Sequence, residues 1–290
     1  MRVFAPTRTK TWDECPLKNY LESEEKWVPK QASKGEWGKL AGSAFAYGTS
    51  VAHDQLKQGN GKVFTDKAFQ DEIVKQTVQY FIQDVAHYRD GGVQLEEKDE
   101  LDVITCFQRA LPRYLAECPF QNWSVKDVET PFPDHGNCRI DVGGLDHTGA
   151  VAVADLKFKR YLTEDRIGKA IDDYRKDWQF LHYVWAYGET QKVKYVNMYL
   201  TMVIAQPIFK IRHVELPFHP DTLALWLESA KSAWKDMEDE KDGKRVPRMA
   251  ANHSNQYGPC AFSDACFLYH LDEGLMANKY VKIERRKIGA

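Results

Sequence analysis

No stretch of about 18 consecutive apolar residues occurs in this 290-residue chain, so neither a membrane-crossing helix nor a membrane partner is expected. The segment from Met1 to Lys10 (MRVFAPTRTK) has no apolar core of the kind that directs export. Neither sign of charge dominates: 40 Lys and Arg against 42 Asp and Glu leave a formal net charge of -2. A polyanion would have to be held by a local patch or through metal ions, because there is no global basic field. Internal repeats and low-complexity linkers are both missing. Cysteine is sparse and uneven, at Cys15, Cys106, Cys118, Cys138, Cys260 and Cys266. That excludes a disulfide scaffold. Without an export signal it points to a reducing, cytoplasmic compartment in which thiols stay free or bind metal. What remains, 43% hydrophobic and 28% charged residues, is the composition of a folded globular protein. A chain near this length buries roughly 75% of its unfolded surface, enough for a core without cross-links.

Hydrophobic periodicity divides the chain into three stretches. Residues 1–118 read as mainly helical. Lys39 to Leu56, rich in Ala, Gly and Ser, suits a helix packed closely on a neighbour. Asp66 to Tyr88 carries Phe69, Ile73, Tyr80, Phe81 and Val85 at helical spacing and stops at Gly91-Gly92. Glu97 to Glu117 repeats the pattern with Leu101, Ile104, Leu111 and Leu115, and Pro112 is expected to kink or break it. Residues 119–216 hold the strands, including a pair, Tyr195 to Ala205 and Ile208 to Leu216, around Gln206-Pro207. One long helix, Thr163 to Tyr187, is inserted among them. Residues 217–290 open with an amphipathic helix, Asp221 to Asp242, and end in a cysteine-bearing tail. Helices followed by a mixed sheet with an inserted helix make an α/β or α+β layout.

The sharpest chemical signal lies between Asn137 and Arg160. Two apolar runs flank Asp146-His147-Thr148-Gly149, a strong turn sequence. A regular hairpin centred on Thr148 sets Asp141 opposite Asp155, with Cβ atoms roughly 4.5–5.5 Å apart. Lys157, two residues past Asp155, then shares its face. Two carboxylates so placed repel unless a cation neutralises them. Hard oxygen ligands of this kind suit Mg²⁺ or Mn²⁺. Lys157 can then orient or deprotonate an attacking water, or stabilise charge developing on a phosphate. The plainer alternative is a solvated hairpin end with an incidental ion pair, and a one-residue bulge would spoil the register. On the following helix, Ile167, Ile171, Tyr174, Trp178, Leu181 and Trp185 form a stripe expected to face the sheet. Arg175, Gln179 and Tyr183 line the adjacent face, where Gln179 and Tyr183 can reach the carboxylates or a bound phosphate.

Asp141, then Asp155-Leu156-Lys157, then Gln179 and Tyr183 in a Gln-x-x-x-Tyr pattern, together resemble the PD-(D/E)xK nuclease superfamily and its RecB-like exonuclease branch. Trp12-Asp13-Glu14-Cys15-Pro16 and the Cys260-x5-Cys266 spacing are similar to the iron–sulfur members of that branch: the AddB nuclease domain, CRISPR-associated exonucleases and phage relatives. The resemblance implies a single domain over residues 1–290: a restriction-endonuclease-like core, a mixed sheet flanked by helices, with a helical region before it and a cysteine knuckle after it. It implies Asp141 and Asp155 as metal ligands with the Leu156 carbonyl, Lys157 as the catalytic lysine, and Gln179 and Tyr183 in support. Glu129 is a weaker acidic candidate. Two departures matter. Where the branch carries a metal-binding His after Gly42-Ser43-Ala44-Phe45, this chain has Ala46, and His53 can substitute only if its helix runs past the site. Cys15, Cys260 and Cys266 fill three places of a [4Fe–4S] ligand set, Tyr257 stands in the fourth, and His253 is the nearest spare ligand. A structural zinc site is the less favoured alternative. Cys106, Cys118 and Cys138 read as small buried apolar residues.

By the same resemblance the partner is DNA, as single strands or ends, and the activity is metal-dependent exonuclease hydrolysis in recombination, repair, or phage or CRISPR-associated processing. A nuclease-derived binding or scaffolding protein with weak catalysis, or an endonuclease of the same fold, are the alternatives. Two basic tracks are candidates for the nucleic acid. Lys26, Lys30, Lys34 and Lys39 are interleaved with Trp27 and Trp37, whose rings either stack on bases or fold into the core beneath an exposed loop. Lys157, Lys159 and Arg160, with Arg166, Lys169, Arg175 and Lys176, form a denser track and the favoured one.

Overall fold

In the computed structural model the described residues are 3–6, 8, 15–23, 25–31, 34–136, 138–244, 254–255, 258–259, 262, 265–266 and 271–283. After α1 (Pro16–Ser23) and a short strand β1 (Trp27–Pro29), three long helices follow: α2 (Lys34–Lys57), α3 (Lys67–Asp90) and α4 (Glu97–Ala116). Asp66 starts α3 by accepting the Ala68 and Phe69 N–H groups at 2.8 and 3.1 Å, satisfying donors that the first turn leaves open. The small residues of α2 serve close packing: a Cβ on Gly48 would lie 1.9 Å from Thr77 Oγ1 of α3. Pro112 does not break α4. Burial of Leu111, Tyr114 and Leu115, all fully enclosed, outweighs the roughly 3 kcal/mol an interior proline costs.

The central sheet comprises β2 (Ser124–Phe132), β3 (Cys138–Leu145), β4 (Val151–Tyr161), β5 (Asn197–Gln206) and β6 (Lys210–Glu215), in that spatial order. β2, β3 and β4 form an antiparallel meander, and β5 and β6 an antiparallel pair. β4 and β5 are parallel, so the chain must cross over between them, and it does so through α5 (Glu164–Arg175) and α6 (Trp178–Gln191). One sheet face, with Val142, Ala154, Leu156 and Val203, is buried under Phe45, Phe107 and Leu111 of α2 and α4. The other, with Val153, Leu200 and Met202, is buried under Phe180, Tyr183 and Tyr187 of α6. The result is a mixed sheet flanked by helices on both sides. Behind α6, the helix α7 (Pro220–Lys241) packs Trp226 and Trp234 against Leu181. Beyond a short ribbon of β7 (Ser254–Asn255) and β8 (Gly258–Pro259), α8 (Glu273–Met276) leads into β9 (Tyr280–Lys282). β9 returns to pair with β1. Among the described residues no helix is long and apolar enough to cross a membrane.

The single helix expected from Thr163 to Tyr187 is two. Asp177 breaks it because its side chain accepts the Gln179 N–H at 3.0 Å, so the chain re-enters helix with a fresh cap. The break resets the helical phase, and the expected stripe divides. Ile167, Ile171 and Tyr174 face the sheet, whereas Trp178, Leu181 and Trp185 join the cluster with Trp226 and Trp234.

Candidate active site

The site starts with the hairpin of β3 and β4. Asp146 organises its turn, accepting the Thr148 and Ala150 N–H groups at 2.8 and 3.2 Å and the Thr148 hydroxyl at 2.6 Å. Its other oxygen holds Asn197 Nδ2 and Tyr199 Oη of β5 at 2.9 and 3.0 Å. Burial alone would raise the carboxyl's pKa. The bonds from Thr148, Asn197 and Tyr199 outweigh it and hold the group below the usual range. A turn anchored this firmly fixes the register, and the ladder runs Leu145 to Val151, Gly144 to Ala152, Gly143 to Val153 and Val142 to Ala154. The next step on this register is Asp141 against Asp155. There the ladder ends, and the Asp141 carboxylate instead accepts the Leu156 N–H at 2.6 Å. The N–H and C=O of a strand residue point the same way. The Leu156 carbonyl is therefore also directed into the gap where the strands part.

Four side chains meet at that gap. Asp155 is 1% exposed. Lys157 Nζ lies 2.9 and 2.8 Å from its two oxygens and 3.4 Å from Gln179 Oε1. Gln179 Nε2 donates to Asp155 Oδ1 at 3.4 Å and, more closely, to the Tyr183 hydroxyl. Gln179 reaches this position because Asp177 caps α6 just before it, so the helix break that sequence periodicity missed is what aims the Gln-x-x-x-Tyr pair. The rings of Phe180 and Tyr174 lie 5.8 and 6.0 Å from Lys157 Nζ, an apolar wall that keeps the amine in place.

Electrostatics tie in a third carboxylate. Glu129 of β2 sits in the left-handed region, φ 46°, unusual for a residue with a side chain. Its neighbours Val128 and Thr130 pair with Val142 and Ile140, so it stands across from Asp141. Burial pushes the Glu129 pKa up to about 7; Arg139 opposes that rise, Asp155 adds to it and Lys157 opposes it. Burial likewise raises Asp141, reinforced by Asp155 and Glu129. Asp155 is raised by burial against the pull of Lys157. For Lys157, burial acts downward, but Asp155 and Asp141 more than offset it, so the amine stays protonated. Burial and then the nearby Asp155 and Asp141 charges keep the Tyr183 phenol neutral. Three acidic groups against one engaged lysine and a loosely placed Arg139 leave an excess of negative charge, an arrangement that asks for a cation.

His53 is not brought to this cluster. It is 1% exposed in the helical core, with Nε2 2.8 Å from Tyr114 Oη and its ring edge-on to Phe120. Burial pushes its imidazole pKa down to about 3. Tyr114, which the sequence did not single out, is the member of this group that feels the Asp141 charge. Its phenol is raised by burial, by Cys118 and by Asp141. Cys118 itself lies 3.9 Å from both His53 and Tyr114, and Cys106, Cys118 and Cys138 are all buried thiols. Arg175 is also absent from the cluster, paired with Asp172 at 2.7 Å.

The basic tracks fare differently from expectation. Trp27 and Trp37 are 7% and 3% exposed, so the first track offers no stacking platform. In the second, Arg160 is matched by Asp99 and Asp102 at 3.5 and 3.4 Å, and α5 carries Glu164, Asp165, Asp172 and Asp173 beside its cations. Its net field is weak. Cys15 belongs to a small apolar cluster with Leu17, Phe262 and Tyr280, and Cys266 packs against it. Cys260 and His253 lie outside the described residues.

The residues fit a hard divalent ion. Asp155 Oδ2 is buried and, although near Lys157 Nζ, has no aligned hydrogen-bond donor. An ion at the gap would find that oxygen, Asp141 and the Leu156 carbonyl. Among the described residues no group of three or more His, Cys, Asp and Glu side chains forms a cage. Two carboxylates with a carbonyl, the remainder water, is a coordination that Mg²⁺ and Mn²⁺ accept.

A mixed sheet whose splayed hairpin presents two carboxylates and a lysine from neighbouring strands defines a restriction-endonuclease-like α/β protein. The family model of the PD-(D/E)XK nuclease superfamily matches residues 3–267, and the chain belongs to that superfamily. Among curated proteins none matches it. A crystal structure from Eubacterium rectale, provisionally assigned as an exonuclease, is similar at a TM-score of 0.46 and 13% identity, covering 99% of this chain and 91% of that one. A likeness that loose carries no argument about substrate.

Proposed function

We propose that the protein is a DNA exonuclease that hydrolyses phosphodiester bonds at ends or in single strands with Mg²⁺ or Mn²⁺. The observation that carries this is the convergence of Asp141 and Asp155 where β3 and β4 part, with Lys157 held between Asp155 and Gln179. A divalent ion bound there supplies a water of lowered pKa and neutralises phosphate charge. The protein's own groups do the rest. Asp141 and Asp155 hold the ion's place, and the Leu156 N–H keeps Asp141 turned into the gap. Lys157, protonated and oriented by Gln179, is a donor for the charge that develops on a phosphate oxygen in the transition state. Gln179 and Tyr183 fix the amine's position rather than touching the reacting atoms. Tyr174 and Phe180 limit water around it, which strengthens the attraction between its charge and a phosphate oxygen.

End-labelled linear single-stranded DNA is expected to shorten progressively with Mn²⁺ and to survive in EDTA, while a circular single strand stays intact. Cleavage of the circle makes the protein an endonuclease instead. Binding without cleavage under either metal overturns the hydrolytic assignment in favour of a nuclease-derived binding protein.

A second cofactor belongs to this proposal. Cys15 Sγ accepts the Lys18 N–H at 3.4 Å beside the start of α1, and Cys266 packs into the same cluster. Together with Cys260 and His253 they are the candidate ligands of an iron–sulfur cluster. Anaerobically purified protein should be brown and absorb near ~400 nm, as expected of thiolate-bound iron–sulfur centres. Colourless protein carrying stoichiometric zinc would identify the less favoured alternative.

A further inference from the structure

We infer that Arg139 forms a phosphate-binding position beside the carboxylates, taking a backbone phosphate next to the one that reacts. The inference rests on the proposed nuclease function and adds a residue to it. Lys157 is already committed to Asp155 at 2.8–2.9 Å, and Lys159 lies over the Tyr174 ring at 5.3 Å. Arg139, two residues before Asp141 on β3, is placed otherwise. Its side chain is 37% exposed, and its Nη1 meets Glu129 Oε2 at 3.9 Å, beyond hydrogen-bond distance. Among the described residues no hydrogen bond reaches this guanidinium, which carries five N–H donors.

The location is set by Glu129. It stands across from Asp141 on the β2–β3 ladder, and Arg139, two residues before Asp141, shares that strand face, so the half-exposed cation paired with Glu129 stands at the rim of the same site. A left-handed backbone at Glu129 holds the carboxylate there at a conformational cost, and such strain persists where the surrounding structure demands it. A polyanion approaching three carboxylates needs a cation able to change partners. A loose pair is suited to this, because exchanging a 3.9 Å carboxylate contact for a phosphate gives up little. The planar fork of arginine matches two phosphate oxygens at once, and a lysine ammonium does not. In this account Glu129 competes with the phosphate for Arg139.

The test is binding of a fluorescein-labelled single-stranded oligonucleotide in EDTA, read by anisotropy across a sodium chloride series. Arg139→Ala is expected to weaken binding about 10- to 100-fold, the range for losing a charge-assisted hydrogen-bonded contact. The slope of log affinity against log salt should fall by about 0.7, one phosphate contact on a single strand. Arg139→Lys should keep the slope and lose much of the affinity, and it also covers the case in which the alanine variant folds poorly. Glu129→Gln should bind more tightly than wild type, since Arg139 loses its competitor. The double variant should bind as weakly as Arg139→Ala. Recovery of wild-type affinity in the double variant would show that Arg139 merely neutralises Glu129 and would overturn the inference. Unchanged affinity in Arg139→Ala does the same. Wild-type protein that neither binds nor cleaves DNA removes the proposed function and the phosphate position together, whereas cleavage by wild type with an unaltered Arg139→Ala removes only the latter.

Discussion

Lys157→Met is expected to lower the rate of DNA hydrolysis about 10²- to 10³-fold, as removal of one preorganised donor at a developing oxyanion does. The substitution keeps most of the side chain's length, so contacts near Tyr174 and Phe180 survive and the loss can be assigned to the amine. Two effects compete. Removing the charge deprives Asp155 of its ion pair, and breaking a buried pair by deleting one partner costs about 3–5 kcal/mol. Against this, a carboxyl without its cation takes up a proton more readily, which softens that cost in metal-free protein. Saturating Mn²⁺ removes the ambiguity, because the ion then compensates Asp155. The measurement is single-turnover cleavage of labelled single-stranded DNA at saturating Mn²⁺, beside a thermal melt in the same buffer. A folded Lys157→Met variant with a tenth or more of the wild-type rate would show that the amine plays no direct part. Gln179→Ala separates position from chemistry. The amine remains but loses its 3.4 Å contact, so a smaller loss is expected, falling on kcat more than on KM.

The extent to which this site was legible in sequence follows from how local each feature is. The β3–β4 register was readable because one turn sets it. Asp146 and Thr148 determine the hairpin within five residues, and alternation carries the register outward from there. The strand pair around Gln206-Pro207 and the helix over residues 221–242 were readable for the same reason. The division of α5 from α6 was not. A capping Asp in a continuous apolar stripe looks like one polar residue on a helix, and only the hydrogen bond from Gln179 N to Asp177 distinguishes the two. His53 went astray because spacing along α2 says which face a residue occupies, not which neighbour covers it, and α4 brought Tyr114 to it. The loose Glu129 and Arg139 pair was out of reach altogether. It depends on the β2–β3 pairing, whose register shifts between Val125 and Asp127, and on a left-handed backbone at a non-glycine residue.

The same carboxylates that suit an ion destabilise the protein without one, and Asp141→Asn should expose that conflict. In EDTA at pH 8 this variant is expected to melt higher than wild type while losing hydrolysis. The sign follows from the pKa directions. Burial raises Asp141 and Asp155 in the folded state, and it raises Glu129 to about 7 from an ordinary 4.5. A group whose folded pKa is raised contributes stability below its unfolded value, and that contribution is lost as pH climbs through the folded value. Metal-free wild type should therefore be less stable at pH 8 than at pH 5, with the loss from Glu129 spread between about 4.5 and 7. For Glu129 alone this is on the order of 2–4 kcal/mol, or roughly 2–4 °C in Tm for each kcal/mol in a chain of this size. Asp146 does not confound the window: its lowered pKa costs stability only in more acidic solution, and the raised pKa of Lys157 acts only in strong alkali. Asparagine at 141 can still accept the Leu156 N–H through its amide oxygen, so the strand gap keeps its geometry while one buried charge disappears. Adding millimolar Mg²⁺ should raise the wild-type Tm at pH 8 and leave Asp141→Asn nearly unmoved, because only an intact ligand set links ion binding to folding. A variant less stable than wild type in EDTA at pH 8 would mean that the charged Asp141 is held by favourable contacts, and the metal-binding role assigned to this gap would lose its physical basis.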